Sequence, residues 1–268
     1  MALMALVATA SALDNGQGLV PPMGWNSVKA IGCGVNETIV LNNANALISL
    51  GLNSLGYTYA NLDDCWTLPK RDANGHVVAD PKKFPSGIPS LAQKVHNLGL
   101  KFGIQMAAGT SACTKGTGSL TYEGIDSADF AAWGVDYLKY SDCNGLGIPP
   151  ETRFVAMRDA LNKTGKGIYY SLARTDPLTV GTYGPSTANS WRTTQIKLRE
   201  GGWESVRAAF QRNNEFAAIS KPGAWNDPDV LDIGTGWLSL TEEKTQFALF
   251  ALAKAPLLLS CDITALTS

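Results

Sequence analysis

One local design recurs along this chain and narrows its possible folds: an apolar, strand-like run ends in polar or acidic residues, and a helical stretch follows. Asn61-Leu62-Asp63-Asp64-Cys65-Trp66 has it, as do Asp136-Tyr137-Leu138-Lys139-Tyr140-Ser141-Asp142-Cys143 and Pro222-Gly223-Ala224-Trp225-Asn226-Asp227-Pro228-Asp229. Strands that alternate with helices pair in parallel through right-handed crossovers. Polar groups at the carboxyl ends of successive parallel strands then converge on one face, where a closed barrel of this type keeps its site.

Strand-like runs fall at 23–27, 57–62, 102–107, 137–140, 168–172, 190–193, 223–226 and 256–263. Helical periodicity lies between them. Ile88, Leu91, Val95 and Leu98 share one face and Gly99 stops that helix; Phe154, Met157 and Leu161 repeat the pattern before Gly165. Trp203, Val206 and Phe210 open a longer helix towards Ile219, and Ser239-Leu240-Thr241-Glu242 reads as a capping box before a last helix over 241–254. Eight strand signals in 268 residues predict a (β/α)₈ barrel, for which about 250 residues is typical. The runner-up is an open doubly wound sheet, but no Gly-x-Gly-x-x-Gly follows the first strand. The chain stops at Ser268, five residues after the eighth run. The expectation is therefore a barrel truncated after its eighth strand, with no eighth helix, occupying residues 13–268.

Residues 1–12 are apolar and end in Ala10-Ser11-Ala12, the pattern of a secretory signal with a small-residue cleavage site, although no positive charge opens it. Asn36-Glu37-Thr38 and Asn162-Lys163-Thr164 are glycosylation acceptors and agree with secretion. Lysine plus arginine total 22 against 23 acidic residues. With no basic block, nucleic acid is not an expected partner, and no apolar run approaches the roughly 18 residues that span a bilayer. In an oxidising compartment, five cysteines predict two bridges and one free thiol. Cys33 follows the first strand, Cys65 ends the second, Cys113 follows the third and Cys143 ends the fourth. Pairing neighbours on one face gives Cys33–Cys65 and Cys113–Cys143 and leaves Cys261 buried in an apolar strand. No Cys-x-x-Cys or His/Cys/Asp cluster has metal spacing, so neither metal nor cofactor is expected. His76 and His96 read as structural.

Pro22-Met23-Gly24-Trp25-Asn26-Ser27, residues 61–66, 136–140, 190–194, 222–231 and 249–263, taken in this order, resemble the α-galactosidases of glycoside hydrolase family 27, melibiase-like enzymes that are mostly secreted. The resemblance implies a (β/α)₈ barrel followed by a C-terminal β-sandwich domain, which this chain is expected to lack. It also implies retaining hydrolysis of terminal α-linked galactose. Retention needs two carboxyl groups about 5–5.5 Å apart, one a nucleophile and one an acid/base.

The resemblance places the nucleophile directly after Lys139-Tyr140, where this chain has Ser141, with Asp142 next. Strand alternation points Asp142 away from Ser141, and Asp142 is the local candidate to substitute for the nucleophile. The acid/base position follows Trp191-Arg192-Thr193-Thr194 one residue short, so that Gln195 or Ile196 falls where the family has Asp. Gln cannot deliver a proton and Ile cannot hydrogen-bond. For substrate binding the resemblance implies Asp63 and Asp64 as a clamp on two galactose hydroxyls, Lys139, Arg192 and Asp229 as further polar contacts, Cys113 as a pocket-lining half-cystine and Trp25 as a pocket wall. Val28 and Gln105 stand where aromatics are expected, and Ala173-Arg174-Thr175 where the pocket closes over the 2-hydroxyl.

Three functional readings follow. The first is an α-galactosidase impaired at both catalytic carboxylates. The second is a non-catalytic galactoside-binding or degenerate relative. The third, a Ser-His-Asp hydrolase built on Ser141, lacks a Gly-x-Ser-x-Gly elbow.

Overall fold

A computed structural model describes residues 13–173, 176 and 179–266. The proposed signal segment and the Arg174-Thr175 pair lie outside them. Eight strands form one parallel sheet: β1 (Met23–Asn26), β2 (Tyr57–Leu62), β3 (Lys101–Ala107), β4 (Tyr137–Ser141), β5 (Tyr169–Ala173), β6 (Ser190–Arg192), β7 (Trp225–Asp227) and β8 (Leu257–Leu259). Their order is β7-β6-β5-β4-β3-β2-β1-β8, with every neighbouring pair parallel. The sheet curls so that its ends meet just beyond β7, where Leu231 N donates to Leu258 O at 2.8 Å and Leu231 bridges to Leu259 in parallel. This is the (β/α)₈ barrel. Among the described residues no second sheet follows β8.

Among the described residues, seven α-helices occupy the crossovers: α1 (Glu37–Ser49), α2 (Gly87–Asn97), α3 (Glu123–Ala132), α4 (Pro150–Lys163), α5 (Val180–Thr187), α6 (Leu198–Asn214) and α7 (Leu240–Leu252). Local sequence sets their ends. Asn36 Oδ1 accepts Ile39 N at 2.9 Å and caps α1. The capping box at Ser239 and Glu242 forms and starts α7. Gly99 adopts φ +76°, with no atom crowding a potential Cβ; the turn from α2 into β3 needs the left-handed backbone, which glycine adopts without strain.

Alternation along the strands sorts the apolar side chains into two cores. Trp25, Ala60, Leu62, Phe102, Ile104, Leu138, Tyr140 and Trp191 face outward into the large core beneath the helices. Tyr59, Tyr137, Tyr169, Val230 and Leu258 form a small core inside the barrel. There Tyr137 stacks on Tyr169 at 4.9 Å, with Tyr59 edge-on to both. This aromatic plug leaves the next inward positions of the strands to line a cavity above it.

Two expected elements come out shorter. β8 ends at Leu259 instead of running to 263, because Ser260 Oγ accepts Lys29 N at 2.9 Å and donates to Asn26 O at 3.1 Å. Cys261 thus lies beyond the strand, although it is buried and unbridged as expected. The helix expected to reach Ile219 ends at Asn214, and a 3₁₀ turn (Ala217–Ile219) follows. Asn226 Nδ2 donates to Phe216 O at 2.7 Å and anchors that turn to β7. The two bridges form as paired from the strand order, Cys33–Cys65 and Cys113–Cys143.

Gly24 is the tightest backbone approach between β1 and β2: a Cβ there would lie 2.1 Å from Tyr59 O. The opposing atom belongs to a paired strand and cannot swing away. Gly24→Ala should therefore destabilise the fold by about 1–3 kcal/mol, read as a lowered urea midpoint with an unchanged slope.

Candidate active site

The strand ends surround a cavity of about 790 Å³ at the carboxyl face of the barrel. Of the residues singled out in the sequence, Asp63, Asp64, Cys113, Lys139, Ser141, Asp142, Arg192, Gln195 and Asp229 all line it, together with Cys33, Cys65 and Ile196. Cys143 reaches the site only as the covalent partner of Cys113. Trp25 is the exception. It has no exposed surface, belongs to the outer core and donates its indole N–H to Cys261 O at 2.8 Å. Its phase in β1 points it towards the helices, so it braces the site from behind instead of walling it.

β4 shows how the strand deals out its side chains. Tyr137, Lys139 and Ser141 face inward, while Leu138 and Tyr140 face the helices. Asp142 continues the outward phase: its carboxylate accepts Arg153 Nη2 of α4 at 2.5 Å, although its edge reaches the cavity wall. Arg153 is itself buried and also donates to Ile148 O and Ala108 O. Asp142 therefore points away from Ser141, as alternation predicts.

Lys139 Nζ donates to Asp63 Oδ2 at 2.6 Å across the barrel. Burial alone would raise the Asp63 carboxyl, but the Lys139 ammonium and the Asp64 backbone N–H hold it below its ordinary value. Arg192 bridges two carboxylates, meeting Asp229 Oδ1 at 2.6 Å and Asp227 Oδ2 at 3.1 Å. Asp229 also accepts Ile196 N and Val230 N. Its burial is likewise outweighed, chiefly by Arg192 and then by Lys29, and its carboxyl stays low. Asp64 accepts Cys65 N and Thr114 N, which ties the two bridged loops together.

Ser141 Oγ accepts Gln105 Nε2 at 3.0 Å, and both residues are buried. This is a neutral pair on a floor otherwise built of ion pairs. Gln195 lines the cavity beside Thr194, just after β6.

A third ion pair was not singled out in the sequence. Lys29, just after β1, meets Asp232 at 2.7 and 2.8 Å, and Gln246 Nε2 of α7 adds a contact at 3.3 Å. Burial pushes the Asp232 carboxyl up, further than Lys29 pulls it down. Trp237 also lines the cavity; its sequence signal is no more than a large aromatic set between glycine turns and a capping box. Both histidines pair elsewhere, His96 with Asp136 at 2.7 Å and His76 with Asp129 at 2.8 Å, so no imidazole reaches Ser141 through either of these contacts.

Comparison with known proteins bears on the family and the fold. The family Melibiase_2, described as alpha galactosidase A, matches residues 21–268. Alpha-galactosidase 3 of Arabidopsis thaliana is 46% identical over 257 residues, which are 96% of this chain and 58% of that protein. The alpha-galactosidase (MEL1) of Saccharomyces cerevisiae superposes with a TM-score of 0.88 at 34% identity over 96% of this chain and 62% of that one. The Saccharomyces cerevisiae enzyme with raffinose superposes with a TM-score of 0.85 at 34% identity, covering 92% of this chain and 60% of that one. This chain thus spans about three-fifths of the length of the relatives it matches. By the extent of these matches, the chain belongs to the melibiase-like α-galactosidases of glycoside hydrolase family 27.

Proposed function

We propose that this chain is an exported barrel of α-galactosidase type that recognises terminal α-linked galactose and hydrolyses it poorly or not at all. Family membership supports the substrate class, and so does the floor of the cavity, where Asp63, Asp64, Lys139, Arg192 and Asp229 offer charged acceptors and donors to sugar hydroxyls. One observation carries the impairment. The inward position that ends β4, where family resemblance expects the nucleophile, is a serine hydrogen-bonded to Gln105, while the adjacent carboxylate of Asp142 is held outward by Arg153. Gln195 or Ile196 at the acid/base position supports the same reading. The retaining reaction would need a carboxylate to attack the anomeric carbon and an acid to protonate the departing oxygen. Among the described residues, the side chain that hydrogen-bonds Ser141 Oγ is the Gln105 amide, a donor and not a base. Two disulfides and the exposed Asn162 near the end of α4 support export.

The direct test is turnover of a chromogenic α-galactoside. The unaltered chain should stay at the buffer rate. Turnover in the ordinary enzymatic range of about 1–1,000 per second would overturn the proposal. Ser141→Asp combined with replacement of Gln195 by Gly-Asp should raise turnover above that baseline if the binding floor is intact.

Lys139→Met removes the cation that neutralises Asp63. Both side chains are largely buried, at 12% and 8% exposure, so the orphaned charge should cost about 3–5 kcal/mol of stability and abolish galactoside binding. Denaturant titration and calorimetry read the two effects separately.

The pH dependence has a definite sign. The folded values of Asp63 and Asp229 are depressed, so their contribution is complete above the unfolded value of about 3.9 and is lost as pH falls through the folded value. Galactoside affinity should stay level from neutral pH down to about 4 and fall below it. A loss already centred near pH 6 would contradict these two carboxylates as the binding groups.

A further inference from the structure

We propose that the loop after β2, residues 67–80, is a pH-set latch, held against α3 when His76 carries a proton and loosened at its tip when the proton leaves. The device is independent of the galactoside reading and uses a pair that does not line the cavity.

The loop doubles back on itself. At its root Leu68 N donates to Val78 O and Asp80 N to Trp66 O, each at 2.8 Å, and Thr67 bridges to Ala79. Thr117 fastens the same end, donating from its N to Thr67 Oγ1 at 3.0 Å and from its Oγ1 to Leu68 O at 2.7 Å. These root bonds join backbone and hydroxyl groups, which do not titrate near neutral pH. At the tip Asp72 N donates to His76 O at 3.0 Å, Gly75 N to Asp72 O at 3.1 Å and His76 N to Asp72 Oδ1 at 2.8 Å.

Two side chains join this tip to α3. Arg71 grips both oxygens of Asp126, at 2.6 and 2.8 Å, and its guanidinium lies 4.0 Å from the centre of the Tyr122 ring. Arginine keeps its charge throughout. Burial lifts the Asp126 carboxyl above its ordinary value, so any loss of this anchor runs towards acid.

The second side chain is His76. Its Nδ1 faces both oxygens of Asp129, at 2.8 and 3.1 Å. Imidazole is the side chain whose ordinary charge change falls between about pH 5 and 8. Protonation puts a full charge on the donor, and charge-assisted bonds are shorter and stronger. The surroundings favour that proton. Asp129 and Asp126 act on His76 from α3 and Asp72 acts from the loop itself, with Arg71 the cation beside Asp126. These carboxylates, Asp129 foremost, hold the imidazole above its ordinary value. A group raised on folding stabilises fully below its unfolded value, about 6.5, and that contribution is lost as pH rises through the folded value. The latch therefore loosens towards alkali, opposite in sign to the Arg71 anchor. With His76 46% exposed, solvent screens the pair, which confines the effect to the tip.

The test is amide hydrogen exchange, corrected for the intrinsic pH dependence of exchange, at about pH 5 and about pH 8. In the unaltered chain, protection of the Asp72, Gly75 and His76 amides should fall about two- to fivefold from the lower to the higher pH, the range an exposed ion pair supplies. The Leu68 and Asp80 amides should hold theirs. His76→Gln keeps a hydrogen-bonding side chain without the charge and should remove the difference. Asp129→Asn should remove it too and lower the His76 titration midpoint read by NMR. His96→Gln should leave it intact, because His96 pairs with Asp136 elsewhere. Equal tip protection at both pH values would overturn the latch, as would a difference that survives His76→Gln or Asp129→Asn. Protection that falls towards acid instead would assign the change to Asp126 and overturn it. An equal loss at Leu68 and Asp80 would overturn it too, since root and tip would then open together.

Discussion

The whole site depends on one geometric constraint: successive side chains of a strand point to opposite faces, and closing the parallel sheet turns those faces into an inside and an outside. In β4 this sends Tyr137 to the inner plug, Lys139 and Ser141 to the cavity, and Leu138, Tyr140 and Asp142 towards the helices. The same rule turns Gln105 and Ser141 to one face: Gln105 is in register with Lys139 and Ser141 with Ala107, and the Gln105 amide reaches Ser141 diagonally between the neighbouring strands. A shift of one residue in this register would exchange Ser141 for Asp142 and bring a carboxylate into the cavity. Arg153, a buried residue of α4 with three acceptors, opposes that exchange.

Charge balance is the second constraint. Buried carboxylates persist only when paired, and three of the cavity's pairs join residues far apart in the chain. Lys139 meets Asp63, Arg192 meets Asp227 and Asp229, and Lys29 meets Asp232. The pairs do not behave alike. Asp63 and Asp229 are held low because cations and backbone N–H groups outweigh burial, while burial prevails at Asp232. The cavity therefore keeps a charged floor around the neutral pair of Ser141 and Gln105.

Much of this was legible in the sequence, for reasons that can be named residue by residue. β2 runs from Tyr57 to Leu62 as expected, because Gly56 and Asp63 bound the apolar run on both sides. The disulfide partners followed from strand order, since adjacent parallel strands bring their carboxyl ends together. β8 was read too long because an apolar run does not show where its hydrogen-bond ladder stops; Ser260 does that by turning back to β1. Trp25 was assigned to the wrong face because Gly24, Trp25 and Asn26 give no polar alternation from which to take the phase. Strands buried on both faces often hide it. Lys29, Asp232 and Trp237 were missed because their roles come from contacts outside their own segments.

The amino-acid order alone determined the alternation of strands and helices, the parallel barrel, the caps of α1 and α7, and the residue types delivered to the strand ends, including the serine that ends β4. These are properties of near neighbours in the chain. Only the tertiary structure decided which carboxylate each cation neutralises, that Asp142 is turned away and held by α4, and that Trp237 lines the cavity. Those outcomes depend on distances between segments as much as 203 residues apart, and such distances exist only after the barrel has closed.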